Sequence, residues 1–453
     1  MDELFRLSQE HFDLQTSLCA GDGPRGRGLF SRDGTPYGAA MELPLHHCLC
    51  LPVDPLTTPS VISTENLRRF QQAHGALPEQ LEDFLWSAER WDIRLTAFLL
   101  WMARTARKPD VVPDRSPEST ALWQAYTASL PSGEELACLL MFAPSDRYEL
   151  QSMSLEREAS RQRDWAFGLH HAFFDATRGE LGALKLARTP ADTLWALGCV
   201  RSRTFADDPE NGGGESLVLL APVADLANHD TDYNATFEVD DAAGVFRLWA
   251  NMDMEAGTEF CISYGEDKSS DELMRDYGFS LSGNPNDRLD VPRRLSCAQP
   301  PEGVDLDEDP HWSRPPQMRR ELLALDLPTL ERARDVVVSR RGRKAAQIDP
   351  TVDARRWHSV FESLPLMRDV GPGGVKPEKQ REFDSAGILE DMVRARQSEM
   401  LLSAAQDREL LSSGGLSPRM AAAVAARAER KVLIEMTIEV LRSYRTVIRK
   451  RPE

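Results

Sequence analysis

Apolar residues fall into two textures along this chain. From residue 21 to about 60 they come in short runs separated by glycine and proline, as in "GRGLFSRDG" and "MELPLHHCLCLPVD", which predicts short strands joined by tight turns. From about residue 62 they recur at three- and four-residue spacing. Phe84, Leu85, Trp91, Leu95, Phe98 and Leu99 form one such stripe. Helices are predicted to continue through "REASRQRDWAFGLHHAFFDATRG" and "TPADTLWALGCVRSRTF", where Thr189, Pro190 and Asp192 have the chemistry of a helix start. The N-terminal "MDELFRLSQEHFDLQTSL" reads as a further amphipathic helix. It carries acids and lacks the continuous apolar core of a secretory signal.

Strand texture returns after "ADDPENGGGES" (206–216), which reads as a loop. "LVLLAPV", "NATFEVDD", "GVFRLWANMD" and "GTEFCISYG" follow, and alternation in "TFEV" and "FRLW" predicts half-buried antiparallel strands. "DAAG" (241–244) suits a hairpin turn. Beyond about 290 an acidic, proline-rich linker, "PPEGVDLDEDP", leads into helices that run to the end. The last is expected to open at Ser417 and Pro418 and to bury Leu433, Met436, Val440, Tyr444 and Val447. Its other face, with Arg427, Arg430, Lys431, Arg442, Arg445 and Arg449, is expected to be solvated. The fold class is therefore α+β: a β-rich part split by a helical insert, then an all-helical C-terminal domain.

A chain of 453 residues, 41% hydrophobic, implies two or three domains. No apolar run approaches the roughly 18 residues of a membrane span. The seven cysteines are scattered, with no CxxC and no histidine at zinc spacing, so they read as reduced buried thiols and no metal is expected. A net charge of −18 disfavours nucleic acid and favours a protein or small-molecule partner. The expected setting is the cytoplasm, or a chloroplast if a transit peptide has been removed, and the expected state a monomer.

Several candidate sites weaken on inspection. Gly21, Gly23 and Gly26 fit GxGxxG, but no strand precedes them, Pro24 interrupts them and "GLF" rather than a helix follows. His170 and His171 are adjacent on a helix and point apart. Cys261 sits in an apolar strand with no histidine nearby. Two stretches hold more chemistry. In "APVADLANHD" (221–230) an apolar run ends on Asp225, Asn228 and His229, which need partners if buried, from a turn or from a polar heterocycle. In "ISYGEDKSSDELMRDYGF" (262–279), Tyr264, Tyr277 and Phe279 suit either plain core or an aromatic channel for an amine.

Taken in order, "GRGLF", "RSRTF", "VADLANHD", "GTEFCISYG" and "DELMRDYGF" resemble the SET-domain methyltransferases, specifically the subgroup of the plant Rubisco large-subunit lysine methyltransferase. The resemblance covers essentially the whole chain. It implies a SET fold in two pieces: 1–50 with the N-terminal helix, and 191–290 with the cofactor and active site. The helical insert would span 51–190 and a helical substrate-binding domain 291–453. It implies S-adenosyl-L-methionine as cofactor, held by Arg25, Gly26, Arg27, Gly28, Ser202, Arg203, Asn228, His229 and Phe279. Tyr264 would be the active-site tyrosine, Tyr277 would join it in lining the amine channel, and Asp225 would be structural or line that channel. The implied activity is methylation of lysine on a non-histone protein, with the Rubisco large subunit or aldolase as family-level substrates. Histidine methylation by the same fold, or an inactive SET-fold binding module, are the alternatives. Asp230 after the Asn-His pair, and the charged "GEDKSSDE" after Tyr264, depart from the family pattern.

Overall fold

The computed structural model describes residues 2–54, 61–112, 114–207, 216–240, 243–292, 322–326 and 378–450. They form two compact units, 1–141 with 161–266, and 142–160 with 267–453.

The first unit opens with helix α1 (Asp2–His11), followed by strands β1 (Gln15–Thr16), β2 (Leu18–Gly23), β3 (Gly26–Ser31), β4 (Gly38–Pro44) and β5 (Leu49–Pro52). Helices α2 (Val61–His74), α3 (Glu79–Leu85), α4 (Trp91–Arg107) and α5 (Pro117–Ser129) come next. Strands resume after a helix at 190–203, with β6 (Phe205–Asp207), β7 (Leu217–Leu220), β8 (Asn228–His229), β9 (Ala235–Asp240), β10 (Val245–Ala250) and β11 (Glu259–Ile262). Three small sheets result, in the orders β1-β4-β10-β9, β2-β3-β11-β8 and β5-β7-β6. Each joins strands from before residue 53 to strands from after residue 204, so the helices interrupt one β-rich fold, as the two textures predict.

Local chemistry sets these elements. In β10, Phe246, Leu248 and Ala250 are fully buried while Arg247 faces out, the period-two signature read from "FRLW". Arg247 meets Glu42 on β4 at 2.5 Å and Asp240 on β9 at 2.7 Å, a charge ladder that pins the register of three strands. The helix at Pro190–Arg203, α8 in chain order, starts where Thr189 predicts: the Asp192 carboxylate accepts from the Thr189 amide at 3.0 Å. The segment read as a loop from 206 is strand as far as Asp207, because Ala206 and Asp207 pair with Val218 and Leu217. The "DAAG" turn and the acidic linker fall wholly or partly outside the described residues, although β9 and β10 pair antiparallel on either side of 241–244.

In the second unit α6 (Pro144–Arg147) and α9 (Ser270–Asp276) precede three long helices, α10 (Glu378–Ser398), α11 (Ala404–Ser413) and α12 (Pro418–Lys450). A further helix, α7, spans Met153–Leu169. A two-stranded ladder pairs Arg288–Pro292 with Leu322–Asp326, so the part after 290 contains strand as well as helix. Leu433, Met436, Val440 and Tyr444 are buried as expected; the side chain of Val447 lies outside the described residues. Ser417 opens α12, its hydroxyl accepting from the Met420 amide at 3.3 Å.

The expected solvated face of α12 needs correction. Arg427 and Lys431 are each 2% exposed. Both reach Asp407 on α11, itself fully buried, at 2.8 and 2.6 Å. A carboxylate twenty residues away in sequence compensates their burial, and no periodicity on α12 alone reveals it.

Candidate functional site

Strand β7 ends in a strained turn. Val223 is fully buried with φ +73 and ψ −50, a strained positive-φ conformation of the γ-turn kind that costs a β-branched residue about 1–3 kcal/mol. The turn redirects the chain through Ala224–Leu226 into β8, and so aims Asp225, Asn228 and His229 at different partners.

Strand β8 pairs in parallel with β11, Asn228 opposite Cys261 and His229 opposite Ile262. That register brings Tyr264 beside His229, 35 residues away in sequence. The Tyr264 amide donates to His229 Nδ1 at 3.1 Å, and the two rings stack with centroids 5.3 Å apart. The same nitrogen lies 3.3 Å from the Ile262 carbonyl. The Tyr264 hydroxyl donates to the Ala227 carbonyl at 2.7 Å. With its proton committed, the phenol oxygen presents lone pairs to whatever faces it.

The glycine segment joins the same place. Asn228 Nδ2 donates to the Arg27 carbonyl at 3.1 Å and to Glu259 Oε1 at 2.9 Å. Gly28 passes so close that a Cβ there would stand 2.6 Å from Asn228 Nδ2 and 2.9 Å from Glu259 Oε1. Gly26, at φ +87, makes the turn that returns β3 along β2. Arg25 pairs with Asp230 and, at 2.9 Å, with Glu259.

Behind this lies a buried charge cluster. Arg203, the last residue of α8, donates from Nη1 to the Asp225 carbonyl at 2.9 Å, with the Asp225 carboxylate at 3.9 Å. Tyr126, fully buried on α5, donates its hydroxyl to the same carboxylate at 2.9 Å. Burial pushes the Asp225 carboxyl up; Arg203 and the Tyr126 hydroxyl pull it back without cancelling that rise. Burial acts to lower Arg203, and Asp225 together with Cys199, Tyr126 and Tyr264 outweighs it, so the guanidinium stays charged. Arg203 Nε is buried yet has no hydrogen-bond partner among the described residues. An orphaned guanidinium donor suits an incoming carboxylate, so Arg203 fits the amino-acid end of S-adenosylmethionine. Ser202 spends its hydroxyl proton on the Gly198 carbonyl of its own helix, at 2.7 Å.

The remaining candidates divide as follows. Tyr277 and Phe279 belong to the second unit, where their rings lie 6.2 Å apart at the end of α9. Burial, then Asp276, pushes the Tyr277 phenol up to about 12, and Lys268 Nζ sits 5.6 Å from its ring. Cys261 is a packed thiol, pushed up to about 11 by burial. His170 is buried and contacts the Thr193 hydroxyl at 2.9 Å. No group of three metal-ligating side chains occurs among the described residues, and none of their helices is long and apolar enough to cross a membrane. Sequence reasoning missed Tyr126, which looks like any other core position of an amphipathic helix, and Glu259. For Glu259 a signal existed: a lone carboxylate opening the otherwise apolar strand "EFCI".

No model of a known protein family matches the chain. Individual proteins do. SET domain-containing protein 8 of Schizosaccharomyces pombe is 24% identical over 298 residues, 61% of this chain and 60% of that protein. The chloroplastic ribulose-1,5-bisphosphate carboxylase/oxygenase large-subunit N-methyltransferase of Pisum sativum is 38% identical over 97 residues, 19% of each chain. The chloroplastic fructose-bisphosphate aldolase-lysine N-methyltransferase of Arabidopsis thaliana is 36% identical over 104 residues, 21% of this chain and 20% of that one. The chain thus spans at most 60% of the length of these curated relatives. The solved structure of Rubisco LSMT bound to sinefungin and monomethyllysine superposes over 100% of this chain and 93% of its own, with a TM-score of 0.57 at 18% identity. The same enzyme bound to AdoMet gives 0.53 over 99% of this chain and 93% of its own, again at 18% identity.

Proposed function

We propose that this chain, which has the SET fold and is related to the Rubisco large-subunit methyltransferases, is an S-adenosylmethionine-dependent lysine N-methyltransferase of a non-histone protein. The observation that carries the reading is the convergence of Gly28 on β3, Asn228 and His229 on β8, and Tyr264 in the turn after β11. Packing alone does not require a strained Val223 and an orphaned Arg203 donor beside such a cluster.

S-adenosylmethionine supplies an electrophilic methyl group on a sulfonium. In this reading Arg203 Nε receives the cofactor's carboxylate, and the Arg25–Gly28 backbone with Asn228 and His229 orients the rest. Tyr264 acts on the substrate amine. Its hydroxyl proton is engaged by Ala227, so the oxygen accepts, and it holds the amine with the nitrogen lone pair in line for transfer. Free lysine, with a pKa of about 10.4, is mostly protonated at neutral pH; desolvation and a nearby positive charge lower that value and release the lone pair. No acid–base dyad is required, because most of the acceleration is positioning. Ser202, Tyr277 and Phe279 keep the roles that the resemblance implies, and residues 291–453 that of substrate-binding domain. The Rubisco large subunit and aldolase, acted on by the relatives, are the first substrates to test.

The test is incubation of the purified chain with methyl-labelled S-adenosylmethionine and a protein extract, followed by mass spectrometry of labelled proteins. A labelled lysine lost with Tyr264→Phe supports the reading. Titration calorimetry with no heat of S-adenosylmethionine binding would overturn it and leave the fold as a binding module.

A further inference from the structure

Away from these residues, the helical insert carries a second concave feature. A cavity of about 190 Å3 opens between the C-terminal end of α4, the segment 185–188 and the start of α8. Arg104, Arg107, Lys108, Lys185 and Arg188 line it. Among the described residues Asp192 is the one carboxylate lining it, and it is committed to the helix start, accepting from the Arg188 and Thr189 amides at 2.8 and 3.0 Å. None of the five cations forms an ion pair among the described residues. Trp195, Leu100 and Leu186 give the cavity an apolar wall.

The ordinary account of cations at the end of α4 is that they offset its dipole. That covers Arg104 and Arg107, which lie in its last turn. It does not cover Lys185 and Arg188, which arrive from another segment 80 residues later. Nor does overall charge favour them: acids outnumber bases by 18 in this chain, yet among the described residues no carboxylate is spent on these five. Like charges gathered without counter-charge repel one another, and a ligand that neutralises them relieves that cost.

We propose that this cavity docks an acidic segment of a protein partner, carboxylates on the cationic rim and an apolar side chain against Trp195. A peptide is favoured over a nucleic acid because the feature is one compact hollow with an apolar wall rather than a basic stripe that could track a phosphate backbone. Insofar as the partner is the methylation substrate, the inference rests on the function proposed above. α8 then links the two places: it carries Trp195 near its start and Arg203 at its end, roughly 12 Å apart at helical rise.

Fluorescence anisotropy of the full chain with a fluorescein-labelled Glu-Leu-Glu-Glu-Phe-Glu-Glu peptide, without cofactor and at about 50 mM salt, tests this. The expected results are saturable binding, at least tenfold weaker binding of the Gln-for-Glu peptide, and at least a tenfold loss in Arg107→Glu/Lys108→Glu. Both positions are exposed, so circular dichroism and S-adenosylmethionine affinity should match the parent. Failure of the parent to bind, or equal binding by parent and variant, overturns the proposal. Tighter binding of a thymidine decanucleotide, or of pyrophosphate, also overturns it, in favour of a phosphate ligand. Peptide binding by a chain that gives no heat with S-adenosylmethionine would keep this inference and sink the function proposed above.

Discussion

The Tyr126 hydroxyl lies 2.9 Å from Asp225 Oδ2, both residues buried, and joins the helical insert to the strained turn that carries the Asn-His pair. Asp225 has three sources of stabilisation: Arg203, this hydroxyl and its own backbone amide. Removing one leaves a buried carboxylate short of a donor, which raises its tendency to take up a proton and weakens its hold on Arg203.

Tyr126→Phe keeps the ring and its edge contact with Trp123 but deletes that donor. The expected outcome is a loss of about 1.5–3 kcal/mol of stability in urea titrations. Affinity for S-adenosylmethionine should fall roughly tenfold, about 1.4 kcal/mol, by calorimetry. Arg203→Lys separates the two ideas. It should weaken cofactor binding even more, and an unchanged affinity would remove Arg203 from the site altogether.

Gly28→Ala places a methyl 2.6 Å from Asn228 Nδ2, a distance real Cβ atoms do not tolerate. Asn228 must move, and with it the bond to Arg27 that fixes the glycine segment. Overpacking of this kind costs about 1–3 kcal/mol. The far-ultraviolet spectrum should stay native while cofactor affinity drops at least tenfold; parental affinity would show that the β3–Asn228 contact is structural only.

The sequence made the interrupted sheet legible because texture changes at about 60 and 205 are long-range signals, each summed over many residues. Asn228, His229 and Tyr264 were legible as chemistry, polar or aromatic groups where apolar strands end. Their adjacency was implied only by the family resemblance, because it follows from a parallel pairing of β8 with β11 that no local pattern encodes. Asp225 left two readings open; its bonds to Tyr126 and Arg203 favour the structural one. Arg427 and Lys431 misled for the opposite reason. Charge predicts solvent unless a partner is known, and their partner Asp407 lies on another helix.

Acid should loosen the first unit by charging two buried histidines. His74 Nδ1 accepts from the Trp123 indole at 3.0 Å, so its proton sits on Nε2 and points to His47 Nδ1, 3.1 Å away. Burial, then the charge on His46, pushes His47 down to about 3, and burial likewise holds His74 well below its usual value. A histidine depressed in the fold titrates first in the unfolded chain. Stability is therefore whole above about pH 6.5 and falls as pH drops towards 3, by about 2 kcal/mol per histidine at pH 5. Urea midpoints measured from pH 7 to 4.5 should show this loss, with a slope about one proton shallower in His47→Gln. A flat profile would mean that the pair is not buried neutral in solution.

The Asp407 cluster gives the sharpest expectation for the second unit. Arg427 contributes Nε and Nη2 to Asp407 Oδ1, and Lys431 contributes Nζ to Oδ2, so one carboxylate serves two buried cations. Glu149 adds a second acceptor for Arg427 but none for Lys431. Burial, the largest influence, already lowers Lys431, and Asp407 opposes that fall. Asp407→Asn therefore strands the Lys431 ammonium away from water and leaves Arg427 with Glu149 alone, and breaking a buried pair in this way costs about 3–5 kcal/mol. Replacing all three with apolar residues, Asp407→Leu with Arg427→Met and Lys431→Met, removes every charge that needed compensation and should restore most of that loss. Helical ellipticity followed through urea unfolding compares the two. A single variant that unfolds like the parent, or a triple variant no better than the single, would show that burial of these charges in the crowded helix pair is not what sets the stability of this unit.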